Sequence, residues 1–156
     1  MSKAGGLSPR FAARLGAVQA LYQMEQADAP LNEVLAEYAS RRVGEDLEGG
    51  QCGRPDARLL EDIVRGVVRH QGEIDRAVNR HLAEGWKLAK LDATVRAILR
   101  AGAYELLHRK DIPPRASIAE YLKVAHAFFD TGGEPKFING VLDALAREQR
   151  ADELKA

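Results

Sequence analysis

From Leu59 to Val68 the apolar side chains come in adjacent pairs: Leu59-Leu60, Ile63-Val64 and Val67-Val68. Each pair follows the last by four residues. That period stacks them along one face of a helix, whereas a strand would scatter them over both of its faces. The same spacing recurs along nearly the whole chain. Phe11, Leu15, Val18, Leu21 and Tyr22 form one stripe, and Leu31, Val34, Leu35 and Tyr38 form another. Ile74, Val78 and Leu82 continue the paired run, and Val95, Ile98, Leu99, Gly102, Leu106 and Leu107 make the next stripe. Leu122, Ala125 and Phe129 follow, then Phe137, Val141, Leu142 and Leu145. No strand-like alternation of useful length interrupts them, so the chain is expected to be all-α, with about seven helices in two small helical bundles sharing one core.

The punctuation between stripes sets the boundaries. Ser8-Pro9 reads as an N-cap followed by proline at the first helical position. Pro30 opens the second helix, Asp92 caps the helix through Leu107, and Asp111-Ile-Pro-Pro stops it. Gly72 is expected to break or bend the run that begins at Asp56, and Gly85 to end it. Trp86, Leu88 and Leu91 then bridge into the next helix. Ser117-Ile-Ala-Glu120 matches a capping box, in which the serine bonds the third helical N–H and the glutamate reaches back. Thr131-Gly-Gly ends that helix and Pro135 starts the last. Residues 43–55, rich in glycine and acids, read as a mobile loop with no chemistry, Cys52 included. The expected organisation is one domain over residues 1–156, with sub-bundles at about 1–82 and 83–156.

A chain of 156 residues can bury enough surface to need no staples. A single cysteine, Cys52, makes no intrachain disulfide and fits a reducing, cytoplasmic compartment. No apolar run approaches the ~20 residues that span a bilayer, and the start lacks the apolar segment of a signal peptide. Net charge is zero but unevenly spread. Residues 1–24 hold three basic groups, Lys3, Arg10 and Arg14, and no acid. Residues 25–62 carry a net −6 and residues 63–126 a net +5. A neutral total therefore leaves room for a basic patch.

Catalytic patterns are not evident. His70, His81, His108 and His126 lie far apart in the chain, with no carboxylate or cysteine at metal-ligand spacing, so no metal is expected. No serine sits in a nucleophile elbow, no phosphate-loop pattern is present, and adjacent acids such as Glu61-Asp62 say little without a pocket. No cofactor and no enzymatic activity are expected.

A binding reading does better. Arg10 and Arg14 are four residues apart and so project from one face of the first helix. Tyr22, three turns after Phe11, is either core or a stacking partner. Single-stranded nucleic acid is held by basic groups along its backbone and aromatic rings against its bases. Lys136-Phe137 has that composition, and it sits at a helix N-terminus, where free N–H groups favour anions.

The stretches AVQALYQ (17–23), LRAGAYELLHRKDIP (99–113), SIAE (117–120) and above all KFINGVLD (136–143) together resemble the NusB family of bacterial transcription antitermination factors. They span almost the whole chain. The resemblance implies an all-α fold of two small bundles and an RNA clamp rather than an enzyme. It implies pairing with NusE, a small-subunit ribosomal protein that doubles as an antitermination factor. It also implies binding to the boxA element of ribosomal RNA leaders, within the complex that carries RNA polymerase through terminators. By the same resemblance Arg10 and Arg14 contact phosphates, and Tyr22, Lys136 and Phe137 line the same RNA face, with Arg100 a weaker candidate. Two features depart from the family. Its N-terminus is often denser in arginine, which implies weaker RNA affinity alone and more reliance on the partner, and its INEA reads IAEY here, with Ala119 replacing asparagine. Related domains are fused to ribosomal RNA methyltransferases, and a purely protein-binding helical adaptor is a further alternative; either a monomer or a homodimer is compatible with the free protein.

Asn139-Gly140 is a turn dipeptide set within the helical period of the last stripe. The expectation is a continuous helix from Pro135, with the missing side chain of Gly140 letting another helix pack close and so fixing Lys136 and Phe137. Asn139 would then reach a neighbouring backbone group or the RNA.

Overall fold

A computed structural model of the chain describes residues 7–40 and 53–154, the side chains of residues 39 and 40 excepted. Lys3, Cys52 and residues 43–52 of the expected loop lie outside the described residues. Eight α-helices and one short 3-10 helix account for the described secondary structure. They are α1 (Pro9–Ala27), α2 (Leu31–Ser40), α3 (Ala57–Arg69), α4 (Gln71–Asn79), a 3-10 turn (Leu88–Lys90), α5 (Ala93–His108), α6 (Pro114–Phe128), α7 (Glu134–Gln149) and α8 (Ala151–Leu154). There is no strand among the described residues, and none of their helices is long and apolar enough to cross a membrane.

Packing divides the chain between Arg65 and Gly66, inside α3. In the first unit α1 packs on α2. Ser8 caps α1, its Oγ accepting the Phe11 N–H at 3.1 Å, and Tyr38 of α2 donates its hydroxyl to Gln23 Oε1 at 3.0 Å. Val34, Leu35, Leu59, Leu60, Ile63 and Val64 are buried, as is every residue of α1 from Ala12 to Ala20.

In the second unit α5 is the central element, with α4, α6 and α7 packed around it. Asp92 caps it, accepting the N–H groups of Thr94 and Val95 at 2.9 and 3.1 Å. Ile98, Leu99 and Leu106 of α5 are fully buried, as are Ile74, Tyr121, Ile138, Leu142 and Leu145 on the helices packed around it. Gly102 is the close approach in that core: a Cβ there would lie 3.0 Å from both Leu142 methyls and 3.5 Å from the Tyr121 ring. Gly66 makes a second, because a Cβ there would fall 2.2 Å from the Tyr104 ring.

Several local expectations move. The break after α3 falls at His70 (φ −111°, ψ 20°), which is flanked by normal helical bonds on both sides, and not at Gly72. α4 ends at Asn79, and Gly85 (φ +88°) shapes the following turn instead. In that turn Trp86 is 56% exposed and takes no part in the core. The capping box at Ser117 does not form. α6 begins three residues earlier, at Pro114, and Ser117 is a buried interior residue whose Oγ donates to Glu105 Oε1 at 2.9 Å. Glu120 pairs with Lys123.

Candidate nucleic-acid interface

Arg10 stands in the first turn of α1, exposed and with no ion-pair partner among the described residues. That turn contains no acid. The arginine therefore adds its charge to the positive end of the helix dipole, an arrangement that costs the helix a little and attracts anions.

Arg14 differs from expectation. It is 3% exposed and engaged in bonding of its own, so its guanidinium is not presented to a ligand on the surface. A spacing of four predicts a face shared with Arg10, but every residue of α1 from Ala12 to Ala20 is buried, so the helix has no outward face there. Tyr22 lies beyond the enclosed stretch and is 42% exposed. It is three turns further along α1 than Phe11, about 16 Å of axial rise.

Arg100 of α5 is committed within its own unit. Its Nε and Nη2 each donate to one Asp75 oxygen at 2.9 Å, a two-pronged ion pair between α5 and α4. Such a fork fixes the guanidinium and spends its charge locally.

Lys136 and Phe137 stand together in the first turns of α7. Pro135 occupies one of the first helical positions and Gly133 the cap position, which has no side-chain cap. Lys136 is exposed with no ion-pair partner among the described residues, and Phe137 is 40% exposed. The helix runs unbroken through Asn139-Gly140. Both residues are exposed, and a Cβ at Gly140 would meet nothing within 4 Å. The expected close helix packing at Gly140 is therefore absent, and the close approach of this bundle is at Gly102. Gly140 instead lies one helical turn beyond Phe137 (i, i+3) and Lys136 (i, i+4), leaving bare backbone on the same exposed face.

Two clusters escaped the sequence reading. His70 and His108, 38 positions apart, stack with ring centroids 4.0 Å apart and share Glu73. Their separation along the chain is undone by the packing of α4 on α5. The only local signal was the His70/Glu73 spacing of three. Glu148 of α7 likewise accepts from Arg80 at 2.9 and 3.1 Å and lies 3.0 Å from His81 Nε2. Those bonds, Arg80's foremost, hold its carboxyl at about 2.

The NusB family signature matches residues 12–147. The chain is 49% identical over 144 residues to the transcription antitermination protein NusB of Caulobacter vibrioides, covering 92% of this chain and 96% of that protein. Its fold is similar to the solved NusB of T. maritima (TM-score 0.75, 30% identity, 96% of this chain and 99% of that one). It is similar too to a chain from a complex of the antitermination factors NusB and NusE with double-stranded RNA (TM-score 0.69, 25% identity, 88% and 96%).

Proposed function

The chain belongs to the NusB family, and we propose that it serves as a transcription antitermination factor. It binds boxA-type RNA of ribosomal RNA leader transcripts together with the ribosomal protein NusE and helps RNA polymerase read through terminators. It acts in the cytoplasm by binding alone, with no reaction of its own. RNA contacts come from Arg10 and Tyr22 on α1 and from Lys136 and Phe137 on α7. Arg14 and Arg100, each already bonded, serve the protein's own structure.

The observation that carries this reading is the exposed start of α7. A cation and an aromatic ring stand side by side there, next to an exposed glycine that no internal packing explains. An exposed phenylalanine costs solvation, and a glycine in a helix interior costs about 1 kcal/mol against alanine. Both are accounted for by a ligand that stacks a base on the ring, sets a phosphate on the lysine and approaches the backbone closely. The experiment is a gel shift with boxA RNA, with and without NusE. Phe137→Ala weakens RNA binding by about 1–3 kcal/mol, the usual value of a base on an aromatic ring, and leaves the fold intact. Full RNA affinity in both Phe137→Ala and Lys136→Ala variants rules out this site.

A further inference from the structure

His70, Glu73 and His108 come together on the second unit, and none of them is among the residues proposed for RNA. His70 occupies the single-residue joint between α3 and α4, Glu73 lies in the first turn of α4, and His108 is the last residue of α5. His108 Nε2 is 2.9 Å from Glu73 Oε1, and His70 Nδ1 is 3.6 Å from the same oxygen. The imidazole planes are inclined by only 17°, and the Tyr104 ring lies beside the pair, 5.6 Å from His108 and 6.4 Å from His70. Gly66 admits that tyrosine ring against the α3 backbone, so the wall behind the cluster is built in.

The geometry points to a binding site for one divalent transition-metal ion, held by His70 Nδ1, His108 Nε2 and a Glu73 carboxylate oxygen. One ligand atom from each residue lies within 4.8 Å of the other two. Donors around a tetrahedral zinc at 2.0–2.1 Å stand about 3.4 Å apart, so the two short separations, 2.9 and 3.6 Å, straddle the required spacing. The third separation, between the two imidazole nitrogens, is within 4.8 Å, and turning the rings out of their stack directs both lone pairs at one ion. The donor set, two nitrogens and one oxygen, selects zinc, cobalt, nickel or copper over magnesium or calcium, which take oxygen ligands. All three side chains are partly exposed, at 33%, 49% and 27%, so an ion has a path in and water completes its coordination. Ligation requires His108 Nε2 to give up any proton it donates to Glu73, which passes to Nδ1 or to solvent.

The test is calorimetric titration of the full-length, EDTA-treated protein with zinc chloride, and with cobalt chloride followed by visible absorption. A single site per chain is expected. Glu73→Gln and His108→Gln each weaken it roughly tenfold or more, whereas His126→Gln, an exposed histidine outside the cluster, leaves it unchanged. On the unaltered protein, imidazole nitrogen NMR gives an answer that does not depend on any variant folding. Zinc shifts His70 Nδ1 and His108 Nε2 and fixes the proton of His108 on Nδ1. Absence of binding, resonance shifts confined to His81 or His126, or parental affinity in Glu73→Gln and His108→Gln with their melting in EDTA preserved would each overturn the assignment.

Discussion

Replacing Gly140 by alanine separates what the helix needs from what a ligand needs. The residue is in the interior of α7, exposed, and a Cβ there enters open space. Alanine is better than glycine in a helix by about 1 kcal/mol, partly because it restricts the unfolded chain. For a chain of this size that gain raises the melting temperature by about 2–4 °C. Leucine, with a helix propensity close to alanine's, stabilises the isolated protein nearly as much. The same substitutions add bulk to the face shared with Lys136 and Phe137. Gly140→Leu therefore weakens boxA RNA binding by about tenfold, or 1.4 kcal/mol, and Gly140→Ala weakens it less. Thermal melting followed by circular dichroism and fluorescence anisotropy of labelled RNA read the two effects on one preparation. Stability and affinity should move in opposite directions. If both variants melt lower than the parent, the surroundings of Gly140 are not open. If Gly140→Leu melts higher but holds RNA equally well, the ligand does not approach the backbone there.

Glu105 is fully buried and accepts the hydroxyls of Ser117 and Tyr121 at 2.9 and 2.5 Å. Glu105→Ala leaves both hydroxyls without their acceptor and lowers stability by about 2–4 kcal/mol in denaturant unfolding; a loss below 1 kcal/mol contradicts this account. Gly66→Ala forces the Tyr104 ring to shift and costs about 1–3 kcal/mol, and combining it with Tyr104→Ala costs less than the sum of the single changes. The carboxyl of Glu148, held at about 2 against an ordinary 4.5 chiefly by its bonds with Arg80, contributes stability that is fully present above 4.5 and lost as pH falls through 2. Glu148→Gln therefore melts lower than the parent near neutral pH, modestly because the groups are solvent-screened, and the gap closes toward pH 2. An unchanged gap at low pH refutes the linkage.

What could be read from the residues was what is local. Ser8 and Asp92 cap their helices as their neighbours require, and Pro113-Pro114 separates α5 from α6. Ser117 carried the same local signal but serves a buried glutamate on another helix, and nothing within four residues of it announces Glu105. The shared face of Arg10 and Arg14 followed from their spacing. The enclosure of α1 was foreshadowed only by a run of small and apolar residues with little polar contrast, the mark of a helix covered all round. Lys136 and Phe137 were legible as a pair because they are adjacent. Gly140 is ambiguous in sequence because a missing side chain can serve an internal neighbour or an external one, and only the packing around α7 leaves open space there. His70 and His108 meet through the packing of two helices, which no short motif encodes.

The central claim is that a few cations of this helical protein hold the phosphates of an RNA strand. Its most direct test is the dependence of boxA RNA affinity on salt, measured for the parent chain and for Arg10→Ala and Lys136→Ala. Each phosphate neutralised on a single strand contributes roughly −0.7 to the slope of log affinity against log salt. Each substitution should make the slope less negative by about that amount. Slopes identical in all three proteins, or an affinity indifferent to salt, would contradict it.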